Sequence, residues 1–462
     1  MFASVTTPGS DEWVATRLAT KLGADYPRLA LLAEHQAGTV SVPDGGNGSM
    51  RDSYARFLNL ARLNLAQLLV AAVTDRWRPV GFTSATATGL ASDREAAHLY
   101  RRIHGKAVSR DVLHDVAVYG RGIALAGRFA GRATARRLSP WRALVDAPDG
   151  EPWNATSAIA ISWLPEEGAD QLTLWRVVDG RVYSRRARRA SKVSTIPDEG
   201  TRLASWYPGM GWGWIEEAQL IPWAAGRLPV VPVGSEDGKG QFEPHLDSLD
   251  RINHQIFQRI TITVMQAFRQ RAIKGLPKFY PEGHPQAGQE IDYGSVFEAG
   301  PAALWQLPLG AEIWESAVTD IGPLRLAIAD DVKHLSAVSR TPSYMLGSDG
   351  ANNSAESASL AREGLVFKVE DLQARADEPL GLLMEMCFAA DGQPRTDGIA
   401  IVWAPADRSS IAERSQAASQ ASTTLPRRSI WRLVFRFTPE EIEQIEQDER
   451  DERLLDPEPA AA

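Results

Sequence analysis

Three glycine-rich strings come closest, in residue type and spacing, to a site that could do chemistry. A GxxxxGK(S/T) loop holds phosphates on its backbone amides and a magnesium ion on its hydroxyl. The string GSEDGKGQ at Gly234–Gln241 has only three residues between its glycines and puts Gly240 where that hydroxyl belongs. GMGWGW at Gly209–Trp214 and GRGIALAG at Gly120–Gly127 lack the flanks of a dinucleotide-binding strand, turn and helix. We therefore predict an ordinary loop at the first string, turns or close-packing positions at the other two, and no nucleotide site.

The histidines and carboxylates give no better candidate for catalysis. None of the eight histidines belongs to an HExxH string, and His104 and His114 are ten residues apart without a supporting cysteine. Asp330 and Asp331 are adjacent, and adjacent residues on a helix point in different directions. The sequence thus predicts no catalytic residues, no metal ligands and no cofactor, and hence a protein that is not an enzyme.

A basic run, GRVYSRRARRASK, has two possible roles. Its cations are Arg181, Arg185, Arg186, Arg188, Arg189 and Lys192. The run could form a hairpin that contacts phosphates, or a surface that forms ion pairs with acidic neighbours. We favour the ion-pairing surface because the chain as a whole is acidic, with a net charge of -8.

Composition places the chain among folded proteins of more than one structural unit. It has 462 residues, of which 44% are hydrophobic and 23% charged. No apolar run is long enough to span a membrane, and the first residues lack the pattern of a signal peptide. The sequence predicts a protein kept in the cytoplasm, in which the only cysteine, Cys387, is a buried thiol within LLMEMCF.

Two long helices are predicted in the second half of the chain. The first carries apolar residues at steps of three or four, namely Leu249, Ile252, Ile256, Ile260, Val264 and Phe268. The second carries Ile321, Leu324, Ile328, Val332, Leu335 and Val338 in the same pattern and ends before Pro342. About forty residues rich in proline, glycine and aromatics separate the two helices.

The sequence on either side of the two helices has its own pattern. Before the first helix, helical patterns followed by short alternating strands predict an α+β unit. After the second helix, a further long helix is expected to be interrupted at Pro379.

In order along the chain, these features resemble the portal proteins of tailed bacteriophages of the siphophage type. The resemblance runs from about Tyr54 to about Pro439. It rests on weak motifs in the same order as in that family: YARFLNLARLNLAQLLVAAVTDRWRPVGF, LPVVPV before the first long helix, WQLPLGAEI, and SRTPSYMLG followed by NNSAES.

The resemblance implies an α+β subunit of the portal-protein fold that forms a ring homo-oligomer. Its parts would be an α/β wing, two long stem helices, a small β-rich clip, a kinked tunnel helix and a short helical crown. The corresponding residues are 1–244 (wing), 245–272 (first stem helix), 273–315 (clip), 316–341 (second stem helix), 342–391 (tunnel loop and long kinked helix) and 392–462 (crown and acidic C-terminal tail).

It also implies which residues make contacts. In the tunnel loop, the residues facing DNA would be Tyr344, Ser348, Asp349, Asn352 and Asn353, although a plain surface connection is an equal alternative. Contacts with partners at the clip would involve Tyr293, Phe297, Trp305 and Trp314. Contacts between subunits along the stem would involve Ile256, Ile260, Leu324 and Ile328.

The function implied by the resemblance is a ring channel at one capsid vertex through which DNA is packaged and ejected. Family members form rings of twelve in the virion, where double-stranded DNA passes through them. Partners would be the terminase large subunit, the head-tail adaptor, the major capsid protein and a scaffolding protein, with no membrane. Assembly would take place in the host cytoplasm and the final location would be the portal vertex of the virion. The alternatives are a non-portal structural virion protein and a nucleic-acid-processing enzyme with a lid loop.

Overall fold

The structure is a computed structural model that mixes helices and antiparallel strands. It describes residues 7–40, 59–84, 92–148, 151, 154–190, 211–267, 271–293, 310, 312–315, 317, 319–347, 355–395, 397–407 and 410–455. Two compact units are distinguished, one formed by Met1–Ser41, Leu63–Asp250 and Asp331–Ala462, the other by Val42–Arg62 and Arg251–Asp330.

The helices and strands follow one another as the sequence periodicities predict, with mostly helical segments before and after a run of strands. In chain order they are α1 (Asp11–Ala37), α2 (Leu65–Thr74), β1 (Pro79–Ser84), α3 (Arg94–Arg102), α4 (Gly105–Tyr119), β2 (Arg121–Phe129), β3 (Arg132–Leu138), β4 (Ala143–Asp146), β5 (Ser157–Leu164), β6 (Ala169–Val178), β7 (Arg181–Ala190), β8 (Gly213–Trp214), β9 (Gln219–Leu220), β10 (Val230–Gly234), α5 (Leu246–Ala267), β11 (Arg271–Lys274), β12 (Glu312–Glu315), α6 (Gly322–Ser339), α7 (Ala355–Ala390), β13 (Ile399–Trp403), α8 (Ile411–Ala421), α9 (Arg427–Ile430) and α10 (Pro439–Leu455).

Antiparallel sheets form the β part of the first unit. The largest has the order β4-β5-β6-β7-β8, with β9 also paired to β7; a second has the order β10-β2-β3, and β1 pairs with β13. Helix α1 begins at Ser10, whose Oγ accepts a hydrogen bond from Trp13 N at 3.2 Å. The buried Tyr26 hydroxyl on α1 donates to the backbone oxygen of Trp141 at 2.8 Å, which ties this helix to the loop before β4.

Helix α7 forms the centre of the main hydrophobic core of the first unit. Its buried side chains pack with those of α3, α4 and the β10-β2-β3 sheet. Gly381 allows a close approach to β13, because a Cβ there would lie 2.3 Å from the backbone oxygen of Ile399. Cys387 is fully buried in this core, and burial raises its pKa to about 12, so the thiol is an inert packing group as expected.

The predicted interruption of α7 at Pro379 is wrong, since a single helix spans Ala355–Ala390, whereas the kink expected at this proline stays a prediction. Tertiary contacts hold the helix on both sides of the proline. Asp377 Oδ1 accepts hydrogen bonds from Ile401 N at 2.9 Å and from Trp403 Nε1 at 3.2 Å, while Leu380 is buried. Packing therefore outweighs the loss of one backbone donor.

The two predicted long helices are present, but both are shorter than the sequence suggested. Helix α5 has 22 residues, about 33 Å at 1.5 Å per residue, and ends at Ala267 rather than Ala272. The next described residues, Arg271–Lys274, instead form β11, which pairs with β12. Helix α6 starts at Gly322. The backbone N–H of Gly322 donates a hydrogen bond to Asp320 Oδ1 at 2.8 Å, just before the first turn of this helix.

Candidate functional site

The chain leaves α6 through a buried turn. Arg340 adopts a left-handed conformation with φ of 53°, and Thr341 N then donates to Ser336 O at 3.0 Å. The Ser336 hydroxyl in turn donates to Thr341 O at 2.7 Å. Because Ser339 and Thr341 are both buried, this turn fixes the direction in which the following segment starts.

A partly buried lysine on α7 also contacts this turn. Lys368 Nζ donates to the backbone oxygen of Ser339 at 3.0 Å, which satisfies a carbonyl at the end of α6. Burial, with a further contribution from the positive charge of Arg340, lowers the Lys368 pKa to about 8. Lys368 was not singled out from the sequence, where its only signal is its place between Phe367 and Val369 in an apolar stretch.

The candidate tunnel loop begins directly after this turn. A short 3-10 helix, Ser343–Leu346, buries Leu346 and leaves Tyr344 42% exposed. Gly347, with φ of 82°, ends it. The other four tunnel-loop residues, Ser348, Asp349, Asn352 and Asn353, lie outside the described residues.

The apolar stripes of α5 and α6 are covered unevenly along their length. On α5, Ile252 and Ile256 are buried whereas Ile260 is partly exposed. On α6, Leu335 is buried whereas Leu324 and Ile328 are partly exposed. On α5, cover is lost toward the end adjoining the segment between the two helices. On α6, the stripe is buried only in its middle, since Val338 near the other end is 62% exposed. The four predicted stem residues are therefore not equivalent, since Ile256 is 8% exposed and already packed within its own chain.

The segment between the two helices exposes large apolar side chains. In β12, Ile313 is 48% and Trp314 51% exposed. Tyr293, also predicted to make partner contacts, donates its hydroxyl hydrogen to Pro277 O at 2.5 Å. Phe297 and Trp305 lie outside the described residues. Of the two predicted clip-contact residues that the structure describes, Trp314 is thus the more exposed.

The basic run lies mainly on β7, and four of its arginines form ion pairs. Arg185 contacts Asp11, Arg186 contacts Glu216, Arg188 contacts Glu167, and Arg189 contacts Asp170. Arg185 and Arg189 also lie over the rings of Trp214 and Trp212, at 4.4 and 4.5 Å from the ring centroids. The favoured interpretation of the run as an ion-pairing surface is confirmed for these four residues, and Lys192 lies outside the described part of the chain.

The described residues contain no group of three histidine, cysteine or acidic side chains arranged to hold a metal ion. Among the described helices, none combines the length and the apolar character needed to cross a bilayer.

Structures of gene transfer agent particles are similar to this chain at low sequence identity. No family model and no curated protein matches the chain. A chain from the neck of an empty particle computed with C6 symmetry has a TM-score of 0.41 and 12% identity, and the match covers 84% of this chain and 94% of that one. A chain from the neck of a native particle computed with C12 symmetry has a TM-score of 0.43 and 12% identity, with coverages of 83% and 91%.

A third match is to a chain of the virion of a native gene transfer agent particle. Its TM-score is 0.38 at 12% identity, with coverages of 88% of this chain and 98% of that chain. All three TM-scores lie below 0.5, so functional conclusions for this chain depend on its own residues.

Proposed function

We propose that this chain is a portal protein, a subunit of a ring whose channel lies at one vertex of a phage capsid. The observation that carries the proposal is the partial exposure of the apolar stripes on α5 and α6. Ile260 continues a stripe that is buried at Ile252 and Ile256, and Leu324 and Ile328 continue one that is buried at Val332 and Leu335. Exposed apolar stripes call for a further surface, and repeated head-to-tail contact between identical subunits closes into a ring.

The ring is a passive conduit for double-stranded DNA. The sequence offers no nucleotide-binding loop, so an ATP-hydrolysing terminase drives the DNA and docks on the ring from outside. The segment between the helices is the docking surface for the terminase large subunit and then the head-tail adaptor, because Ile313 and Trp314 are exposed there. The major capsid protein, with a scaffolding protein during assembly, surrounds the ring, and the finished protein is located in the virion.

The tunnel loop contacts DNA weakly. Tyr344, Ser348, Asp349, Asn352 and Asn353 offer polar contacts without lysine or arginine, and weak contact lets the phosphate backbone slide. The buried turn at Arg340 and Thr341 and the hydrogen bond from Lys368 hold the base of the loop.

Single substitutions on the stem test ring assembly. Ile260→Asp and Ile328→Asp each place a charge on a partly exposed stripe position, so the subunit should fold but a ring would have to bury an unpaired carboxylate. Purified variants are expected to have the 50.5 kDa mass of one chain by light scattering, in place of a large assembly. The matched control is Thr263→Asp, at an exposed position of α5, which should still assemble. Rings of normal size from both stripe variants would refute the stem interface.

A further inference from the structure

A groove of about 1090 Å³ lies beside strand β1 within the first unit, and its lining residues fall outside the ranges proposed as stem, clip and tunnel loop. Its apolar wall includes the buried Trp77 and Phe82 and the half-buried Tyr100. Val80, also in the wall, is 43% exposed. Such a concave wall can accept apolar side chains from another molecule.

Five exposed basic side chains surround this wall. They are Arg78, Arg101, His104, Lys106 and Arg110. Across the described residues, none of the five has an acidic partner within ion-pair distance, although Asp111 and Glu440 also line the groove. By contrast, Arg94 and Arg102 on the same helix α3 are paired with Glu443 and Asp391. On α3, the arginines outside the groove are therefore paired with carboxylates, whereas Arg101, which lines the groove, is not paired within the described residues.

The start of helix α4 adds to the positive potential. His104 has a left-handed backbone with φ of 54°, and its oxygen accepts hydrogen bonds from Ala107 N at 3.0 Å and Val108 N at 3.2 Å. Gly105, Lys106 and Ala107, the first residues of α4, line the groove, so the positive end of the helix dipole lies beside it. Gly105 lets Tyr100 pack against this end, because a Cβ at Gly105 would lie 2.1 Å from the tyrosine ring.

Tyr100 does not offset this charge. Its hydroxyl is within 2.6 Å of Ser109 Oγ, and burial raises its pKa to about 12. The phenol therefore stays neutral at physiological pH, and the groove combines an apolar wall with a predominantly basic rim.

We propose that this groove binds an extended, acidic peptide segment of a partner protein. Its carboxylates would face Arg78, Arg101 and the other cations of the rim, and its apolar side chains would lie against Val80 and Phe82. We choose an acidic ligand because its charge is complementary to the groove. The chain as a whole has a net charge of -8, yet basic side chains without ion-pair partners among the described residues lie close together here.

Two other occupants fit the groove less well. The acidic helix α10 of a second copy has Glu443, Glu446 and Glu449 already paired with Arg94, Arg428 and Arg427. A nucleic acid would offer phosphates to the basic rim but no aliphatic side chains for the wall at Val80 and Phe82. A peptide can instead match the basic rim and the apolar wall together.

Fluorescence anisotropy with synthetic probes tests this assignment on the full chain. The probes are a labelled peptide that alternates glutamate with leucine, the corresponding peptide with lysine in place of glutamate, and a labelled oligothymidine. The acidic peptide is expected to bind, more weakly as salt is raised, while the lysine peptide does not. Arg101→Glu combined with Arg110→Glu should weaken binding of the acidic peptide at least about tenfold.

Two further variants separate specific binding from general charge. Arg128→Glu makes the same kind of change at an exposed arginine outside the groove and should leave the affinity unchanged. Val80→Asp should weaken binding of the acidic peptide because it places a carboxylate in the apolar wall. Equal binding of both peptides, tighter binding of oligothymidine, or an unchanged affinity in the double arginine variant would overturn the proposal. These outcomes are independent of ring assembly, which is followed separately by mass.

Discussion

Lys368 shows how one partly buried side chain can influence the stability of this fold. Its ammonium group is held against Ser339 O, at the turn where α6 ends and the candidate tunnel loop begins. Burial brings its pKa from 10.5 to about 8, which means that the folded chain releases a proton more readily than the unfolded chain. The charged form is therefore a cost to folding at neutral pH.

We predict that the free energy of unfolding rises with pH between about 8 and 10.5 in a way that depends on Lys368. In that window the unfolded chain still holds the proton that the folded chain has lost, so deprotonation favours the fold. The effect is at most roughly 3 kcal/mol. Urea unfolding of the wild type and of Lys368→Met over this pH range gives the free energy of unfolding of each protein. The change with pH in the difference between the two values measures the effect of Lys368.

Lys21→Met, at an exposed lysine of α1, is the matched control. The difference in the free energy of unfolding between this variant and the wild type should not change with pH. A difference between wild type and Lys368→Met that stays constant across the window would show that the lysine is not perturbed by folding.

The ion pairs of β7 differ in burial, so we expect them to contribute differently to the free energy of unfolding. Asp170 is completely buried beside Arg189, whereas Glu216 and Arg186 are near the surface. Arg189→Ala is expected to destabilise the fold by about 3 kcal/mol, because it removes a hydrogen-bonded cation from a buried carboxylate. Arg186→Ala should cost below about 1 kcal/mol. Thermal or urea unfolding of the two variants gives the comparison, and equal losses would contradict it.

At the scale of elements, hydrophobic spacing predicted the type of most helices and strands. The stripe from Leu249 to Val264 gives α5, and the alternating SAIAISWL gives β5. Their ends were harder to predict, since α5 stops at Ala267 and the chain then forms β11. Strand pairing with distant β12 determines that end, and this pairing leaves no local signal in the sequence.

The candidate sites were predictable to different degrees. The apolar positions of the stem could be read from spacing, but the burial of Ile256 beside the exposure of Ile260 depends on which parts of the chain pack there. Acidic partners for Arg188 and Arg189 could be anticipated only as a class from net charge. The groove beside β1 was not anticipated, because Arg78, Arg101 and Lys106 are brought together only by the fold.

The loop between α6 and α7 gives the prediction that concerns DNA. Changing Asp349 and Asn352 to arginine adds phosphate contacts, so we expect rings to assemble normally but to package DNA more slowly, most clearly at low salt. Changing both residues to serine is the matched control and should have a much smaller effect. Full-length genomes packaged at the normal rate by the arginine variant would mean that the loop is only a connection.

At the scale of the whole molecule, the account depends on repetition of the subunit. A chain with partly exposed apolar stripes on α5 and α6 and an exposed Trp314 is expected to bury these surfaces against copies of itself and against partners. No described residue has to perform chemistry for this role. The shape of the assembly and the number of subunits in it therefore test the proposed function more directly than any single side chain does.

The most direct measurement is the mass of the purified wild-type protein by light scattering, combined with negative-stain images of the same sample. The account predicts a closed ring with a central channel and a mass many times the 50.5 kDa of one chain. A protein that remains a monomer or dimer at every concentration and salt tested, with no channelled particles in the images, would contradict it.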